Sequence, residues 1–288
     1  MNSPVGPTPH ATASNAADLY IDLIKNCLTR TAFPEPLLEV RYVRGTWSWY
    51  LAKPFKKLLS LKNYVLCVPY SKSVEQRETG ADWPPDAETM IGMRRLNNVE
   101  QCVRSVIENG VSGDLIETGV WRGGTCIFMR SLLAAYGDES RSVWVADSFQ
   151  GLPEATRPED RGMTLKHQFS QFDQLAVSLD QVRANFARYG LLDSRVRFLK
   201  GWFKDTLSGA PIDKLAVMRL DGDLYESTMD ALVPLYPKLS VGGYCIIDDY
   251  GGIPACAQAV NDYRKMHDIT DPIEVVDATG VYWKKTRA

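Results

Sequence analysis

The chain has 288 residues, of which 45% are apolar and 24% charged, the composition of a water-soluble globular protein. Its 33 basic and 35 acidic residues leave a net charge of −2, so neither nucleic acid nor an anionic membrane is expected as a partner. No apolar stretch approaches the roughly 20 residues that cross a bilayer, and the first residues lack the basic and apolar regions of a secretory signal. The six cysteines are scattered without a CxxC pair, which is typical of a reduced cytoplasm.

The first part of the chain is predicted to hold two helices and a long irregular segment. Residues 1–17 are rich in Pro, Ser, Thr and Ala and are predicted to be a disordered tail. Residues 18–110 form a predicted N-terminal region, with helices near residues 17–28 and 86–108. The weakly periodic residues 32–85 between them are more typical of a lid, a binding loop or an oligomer contact than of a plain connector.

Residues 111–288 alternate short β-rich segments with helical patterns, which predicts parallel βαβ units in an α/β domain. The predicted strands are residues 114–120, 142–148, 195–201, 215–222 and 243–249. The predicted helices are residues 124–137, 172–190, 226–239 and 254–268. Residues 272–286 predict a β-hairpin instead of another βα unit, so the last strand should run antiparallel to the others.

A glycine-rich turn, IETGVWRGGTC, ends the first of these strands and opens a helix. Its glycines permit a tight turn, and a helix N-terminus offers unpaired N–H groups to a ligand. The spacing E-x-G-x-x-x-G-G differs from the G-x-G-x-x-G of dinucleotide-binding turns. Glu117 would suit a cationic amino group, and Asp147, at the end of the second strand, would accept hydrogen bonds from ribose hydroxyls.

An acid for an amine and an acid for a ribose together indicate S-adenosylmethionine. The alternative is a glycine-rich turn that only packs, with Asp147 as a helix cap. Phe149, close to Asp147, would either flank an adenine or belong to the core.

Acidic residues end the fourth and fifth predicted strands. Asp221 ends the fourth, and Asp248 and Asp249 end the fifth, so their side chains should meet at the same edge of a parallel sheet. Carboxylates that converge repel one another unless a cation lies among them, and oxygen-only ligands suit Mg²⁺. The alternative is that Asp249 caps the next helix and Asp221 makes a loop hydrogen bond. Three roles are open for Asp223: a further metal ligand, a residue that hydrogen-bonds to a metal ligand, or the cap of the helix that begins near Tyr225.

Five motifs together resemble the macrocin O-methyltransferase (TylF-like) family: ETGVWRGGT, VADSFQGLP, LKGWFKDTL, LDGDLYEST and VGGYCIIDDYGG. The resemblance extends over about residues 82–285. Enzymes of that family methylate sugar hydroxyls on macrolides and other antibiotics with S-adenosylmethionine and Mg²⁺. The resemblance implies a class I methyltransferase fold, a Rossmann-like seven-stranded sheet with an antiparallel last strand.

The resemblance also implies the residues of the site. It makes Asp221, Asp248 and Asp249 the Mg²⁺ ligands. The implied S-adenosylmethionine contacts are Glu117, Thr118, Gly119, Gly123, Thr125, Asp147, Ser148, Phe149, Gly201, Trp202 and Asp221. Catechol methyltransferases, which resemble this site more distantly, carry a lysine base where this chain has Leu224, so that base does not carry over.

The predicted reaction is Mg²⁺-dependent methylation of a sugar hydroxyl on a glycosylated small molecule, with Asp221 as the first candidate base and Asp223 and His167 as further candidates. His167 lies in a polar segment predicted to be a mobile loop over the site, or an ordinary surface loop. Trp47, Trp49 and Tyr50 are expected to line an acceptor pocket, form a dimer contact or build a small satellite core.

Other functions stay open from the sequence. A catechol-like or other vicinal-diol acceptor is one alternative. A hydroxylase or oxidoreductase on a related fold is disfavoured because neither G-x-G-x-x-G nor a His-rich iron site is present. A binding module without chemistry is disfavoured by the acids Asp221, Asp248 and Asp249 at the strand ends. The enzyme is expected to be cytoplasmic and to form a homodimer or larger oligomer.

Overall fold

The structure is a computed structural model that describes residues 15–33, 37–39, 64, 67–69, 73–82, 86–161 and 175–288. Its helices are α1 Ala16–Leu28, α2 Val74–Thr79, α3 Met93–Glu108, α4 Gly124–Ala135, α5 Pro158–Arg161, α6 Leu179–Arg188, α7 Phe203–Thr206, α8 Tyr225–Leu235 and α9 Pro254–Met266, with a 3-10 turn at Tyr236–Lys238. Its strands are β1 Leu37–Glu39, β2 Cys67–Pro69, β3 Asp114–Thr118, β4 Val143–Asp147, β5 Val196–Lys200, β6 Leu215–Leu220, β7 Leu239–Ile247, β8 Glu274–Val275 and β9 Val281–Lys284. None of the helices in these ranges combines the length and the apolar character that crossing a bilayer requires.

Seven strands form one mixed sheet in the order β5-β4-β3-β6-β7-β9-β8. Strands β3 to β7 run parallel, and β9 pairs antiparallel with both β7 and β8. This confirms the predicted parallel strands, the terminal hairpin and its antiparallel last strand. β3 lies next to both β4 and β6, so the strand order reverses here, and crevices at such points bind ligands in α/β proteins.

Each face of the sheet has its own hydrophobic core, because successive strand residues point to opposite sides. Leu115 packs with helices α1, α3, α4 and α6, whereas its neighbour Ile116 packs with α8 and α9 on the other face. β6 is buried along its whole length, as expected for a strand covered on both sides. One of its six buried residues is nevertheless an arginine, Arg219.

Several predicted boundaries differ from the structure. The helix predicted from residue 86 begins at Met93, because its N-cap residue Gly92 has an extended backbone, with a ψ of 176°. The Gly92 backbone also lies so close to Glu78 that a Cβ there would be 2.2 Å from the Glu78 carbonyl oxygen. The helix predicted from residue 172 begins at Leu179, where the Ser178 side chain accepts a hydrogen bond from the Gln181 N–H as an N-cap. α1 begins at Ala16, inside the predicted tail.

Parts of the first 85 residues are more regular than predicted. β1 and β2 pair antiparallel as a separate two-stranded sheet, and α2 begins with a capping box between Ser73 and Gln76. Most of the predicted tail, the aromatic residues Trp47, Trp49 and Tyr50, and His167 lie outside the described residues.

Candidate active site

A cavity of about 770 Å³ opens at the carboxyl ends of β3, β4, β6 and β7. Five of the residues predicted to contact S-adenosylmethionine line it: Gly119, Asp147, Ser148, Trp202 and Asp221. The other acids of the sequence prediction, Asp223, Asp248 and Asp249, line the same cavity. The residues predicted to contact the methyl donor and the acidic residues therefore line one cavity.

The glycine turn after β3 brings two parts of the cavity wall into contact. Gly119 has a φ of +79°, and a Cβ at this position would lie 1.9 Å from the backbone oxygen of Asp221. Only glycine fits such an approach without strain. The end of β3 therefore packs directly on the end of β6.

The start of α4 is covered by protein. A Cβ at Gly123 would lie 2.7 Å from Val182 of α6, and the Gly124 N–H donates to the Glu88 carbonyl at 3.0 Å. Gly123 and the buried Thr125 do not line the cavity. Their predicted contact with the donor stays a prediction that this arrangement does not favour.

Asp147 joins the end of β4 to the glycine turn. Its carboxylate accepts hydrogen bonds from the Val120 N–H at 2.7 Å and the Phe149 N–H at 2.6 Å. Burial raises the pKa of Asp147, and these backbone donors oppose that rise.

Phe149 is buried in the core, in agreement with the core alternative for this residue. Neither Phe149 nor Gly201 lines the cavity.

Glu117 is an interior residue, not part of the cavity wall. It is 2% exposed, and its two carboxylate oxygens contact Arg219 Nη1 at 2.5 Å and Cys126 Sγ at 2.9 Å. Burial raises the pKa of Glu117 to about 7, against the opposing charge of Arg219. Thr118, the next residue, is also fully buried. The predicted contact of Glu117 with a donor amino group therefore stays untested, and its contacts here are internal.

The acid cluster consists of Asp221, Asp223 and Asp249, which offer one oxygen each within 4.8 Å of one another. Burial and the neighbouring acids raise the pKa of Asp221 to about 6, that of Asp223 to about 8, and that of Asp249 well above its ordinary value. Asp223 has a left-handed backbone, with a φ of 56°. Asp249 Oδ2 is buried and has no hydrogen-bond partner among the described residues. Crowded acids with an unpartnered oxygen fit a divalent cation.

Asp248 differs from the acid cluster in its contacts. One of its oxygens accepts a hydrogen bond from Arg219 Nη2, and the other accepts one from Arg95 Nη1 at 2.5 Å. The sequence prediction grouped Asp248 with Asp221 and Asp249 as a metal ligand. The structure places Asp223 beside Asp221 and Asp249, and places Asp248 between two arginines. The metal-ligand role of Asp248 stays a prediction.

Arg95 of α3 also lines the cavity. Besides Asp248, it donates to Asp277 Oδ2 at 2.8 Å and to Thr279 Oγ1, both in the turn between β8 and β9. Burial acts to raise the pKa of Asp277, but Arg95 and two backbone N–H groups hold it below its ordinary value. A helix that precedes the sheet thus forms one wall of the cavity.

The comparison with known proteins agrees with this geometry. The profile of the macrocin O-methyltransferases (TylF) matches residues 17–285. The chain belongs to the macrocin O-methyltransferase family. Five motifs of the sequence predicted this family, and the match confirms that prediction.

Relatives of this macrocin O-methyltransferase family member align with nearly the whole chain. The demethyldecarbamoylnovobiocin O-methyltransferase of Streptomyces niveus is 57% identical, covering 99% of this chain and 100% of the relative. The 8-demethyl-8-(2,3-dimethoxy-alpha-L-rhamnosyl)-tetracenomycin-C 4'-O-methyltransferase of Streptomyces olivaceus is 50% identical, covering 95% of each chain. The solved structure of the O-methyltransferase NovP is 49% identical with a TM-score of 0.79, covering 94% of this chain and all of the other.

In this macrocin O-methyltransferase family member, a loop after β4 forms part of the cavity wall and is attached to α8. Leu152, Pro153, Glu154 and Thr156 of the loop line the cavity. Asp160, in the short helix α5, is fully buried and accepts hydrogen bonds from the Tyr225 N–H at 2.7 Å and the Glu226 N–H at 3.2 Å. Asp160 therefore caps α8, whose own N-cap residue, Leu224, makes no side-chain cap.

Replacing Asp160 with alanine should lower the free energy of unfolding by about 1–3 kcal/mol, because two backbone N–H groups at the start of α8 lose their acceptor. Thermal unfolding checks this, with Asp205→Ala as the control because Asp205 is an exposed acid in the first turn of α7. Equal melting temperatures for the two variants would contradict the capping role.

Sequence reasoning missed Arg95, Arg219 and Asp160. A signal for Arg219 was present, because an arginine in the otherwise apolar strand LAVMRL needs carboxylates beside it. Arg95 and Asp160 carried no comparable signal, since each lies in a polar stretch far along the chain from its partners.

Proposed function

We propose that the protein transfers a methyl group from S-adenosylmethionine to a hydroxyl of a sugar on a glycosylated natural product. The observation that carries the proposal is the match to O-methyltransferases of antibiotic biosynthesis along nearly the whole chain, at 50% and 57% identity. One of those relatives is named for a rhamnosyl-tetracenomycin acceptor. The shared cavity supports the same reaction, because it joins the predicted donor contacts to the acid cluster.

The walls of the cavity suit an acceptor with a polar and an apolar part. Its acidic end is formed by the ends of β6 and β7, where sugar hydroxyls would find hydrogen-bond acceptors. Its apolar lining includes Met90, Ile91, Leu152, Leu175 and Phe203. Apolar walls with a few placed polar groups are typical of small-molecule sites, and here they fit an aglycone beside a sugar.

We propose that Asp221 and Asp249 hold a Mg²⁺ ion. They belong both to the predicted ligand set and to the acid cluster, and the buried, unpartnered Asp249 Oδ2 supports the assignment. When bound, a divalent cation supplies Lewis-acid activation of an acceptor hydroxyl. Crystals soaked with Mn²⁺ would identify the third carboxylate, which is Asp248 in the sequence prediction and Asp223 in the acid cluster.

Asp221 is proposed to accept the proton that the acceptor hydroxyl loses. It lines the cavity at its acidic end, and Arg219 Nη1, at 3.0 Å from Asp221 Oδ2, fixes the orientation of the carboxylate. A base must lie within hydrogen-bond reach of the proton that it accepts. Gly119 and Asp147 would position the donor, and the loop of Leu152 to Thr156 would exclude water.

A panel of glycosylated natural products, incubated with the enzyme and S-adenosylmethionine, tests the function by mass spectrometry. We expect a gain of one methyl group on a sugar, loss of activity in EDTA, and recovery with Mg²⁺. The free aglycones and simple catechols are the matched controls. Methylation of catechols alone would favour the vicinal-diol alternative, and calorimetry that detects NAD but not S-adenosylmethionine would exclude the proposal.

We also propose that the enzyme acts in the cytoplasm as a homodimer or larger oligomer. All six cysteines are free, and four of them are buried, which suits a reducing compartment. Light scattering on the purified protein measures the oligomeric state directly.

A further inference from the structure

Arg219 is a buried cation at the centre of the sheet. It is 1% exposed, lies near the end of β6, and stands opposite Glu117 on β3 and Ile246 on β7. A charge so far from solvent is retained only where carboxylates pair with it. Burial alone would lower the pKa of Arg219, but Asp248, Asp221 and Glu117 hold it well above its ordinary value.

The contacts of Arg219 reach both sides of the site. Its Nη1 lies 2.5 Å from Glu117 and 3.0 Å from Asp221, and its Nη2 donates to Asp248. Glu117 is the penultimate residue of β3, the strand that leads into the predicted donor turn, whereas Asp221 and Asp248 lie at the acid end of the cavity. One guanidinium group therefore joins the donor side to the acid side.

The backbone tightens this connection. The Asp221 N–H donates to the Thr118 carbonyl at 2.9 Å, and the next residue, Gly119, packs against the Asp221 carbonyl. A movement of Asp221 would therefore be transmitted to the turn that lines the donor side. Glu117, which does not line the cavity, can act on a ligand only through such neighbours.

We propose that Arg219 is a positioning residue that couples the donor side of the cavity to the acid cluster, so that S-adenosylmethionine and a divalent cation bind cooperatively. The proposal rests on the proposed function. With a cation bound to Asp221, Arg219 would pair with Glu117 and Asp248 alone. A stronger pair with Glu117 would hold the end of β3 in place beneath the donor turn. Arginine reaches Glu117 and Asp221 with Nη1 and Asp248 with Nη2, whereas lysine has a single nitrogen and cannot occupy both positions.

Calorimetry with S-adenosylhomocysteine, in the absence and presence of Mg²⁺, tests the coupling without any turnover. We expect Mg²⁺ to tighten binding about fivefold or more in the wild-type enzyme, within the usual range of coupling between sites. In Arg219→Lys the ratio of the two dissociation constants should fall to less than about twofold. The matched control is Arg130→Lys, because Arg130 is similarly buried but pairs with Asp193 away from the cavity, and its ratio should equal that of the wild type.

Glu117→Gln provides a second variant if Arg219→Lys does not fold. Coupling through Arg219 predicts a lower ratio, whereas a direct contact between Glu117 and the donor would weaken both measurements equally and leave the ratio unchanged. A wild-type ratio in the variant that folds, or no effect of Mg²⁺ on the wild-type enzyme, would overturn the inference. Failure of S-adenosylhomocysteine to bind the wild-type enzyme at all would instead overturn the proposed function.

Discussion

Asp221→Asn should lower the turnover number by about 10³-fold, a value within the range observed for loss of a general base. Asparagine keeps the shape of the side chain but neither accepts a proton nor carries the charge that attracts a cation. Measured without a divalent cation, the affinity for S-adenosylhomocysteine should change by less than about threefold, because Gly119 and Asp147, which line the donor side of the cavity, stay in place.

Steady-state kinetics and calorimetry check the two halves of this prediction. Asp262→Asn is the control, because Asp262 is an acid that contacts the Tyr225 hydroxyl and does not line the cavity. If Asp221→Asn turns over like the wild type, Asp221 is neither the base nor a ligand that the reaction needs. A variant that is inactive because it no longer binds the donor would point to a structural role instead.

Mg²⁺ should stabilise the protein more at pH 8 than at pH 6. Burial raises the pKa of Asp221 to about 6 and of Asp223 to about 8, whereas in the unfolded chain both lie near 3.8. The folded protein thus holds protons that the unfolded chain has lost, so these groups lower the free energy of unfolding as the pH rises from about 4 to 8. A cation that replaces those protons removes the penalty, which grows by a few kcal/mol between pH 6 and pH 8.

Differential scanning fluorimetry at both pH values, with EDTA or with Mg²⁺, measures the effect. The melting temperature should gain roughly 5 °C more from Mg²⁺ at pH 8 than at pH 6, given a few kcal/mol in a chain of this size. Asp249→Asn should reduce the gain at pH 8, because it removes one oxygen of the acid cluster. An equal gain at the two pH values would mean that the cation binds elsewhere.

Much of the fold followed from local pattern. The continuous apolar runs of β3, β4 and β6 predicted strands covered on both faces, and the turn around Gly280 predicted the terminal hairpin. Acids at the ends of β6 and β7 had to meet because adjacent parallel strands end at the same edge of a sheet. The sequence therefore predicted at which edge of the sheet these acids lie.

The partners of those acids were only partly predictable. A place for Asp223 beside Asp221 and Asp249 was one of three alternatives, and the sequence did not choose among them. Asp248 faces Arg95, which lies 153 residues earlier in the chain, and periodicity carries no information about such a contact. The predicted start of α3 was wrong for a similar reason. The backbone of Gly92 packs against the Glu78 backbone, and the periodicity of the helix does not reveal this contact.

The bridge that Arg95 makes from α3 to Asp248 and Asp277 bears on how enzymes of this family can be recombined. A chimera that joins residues 1–110 of a relative to residues 111–288 of this chain exchanges one half of a buried charge network. Where the relative lacks the arginine, Asp277 loses its charged partner and Asp248 keeps only Arg219, at a cost of about 3–5 kcal/mol. A graft meant to change acceptor choice should therefore carry α3 and the turn between β8 and β9 together.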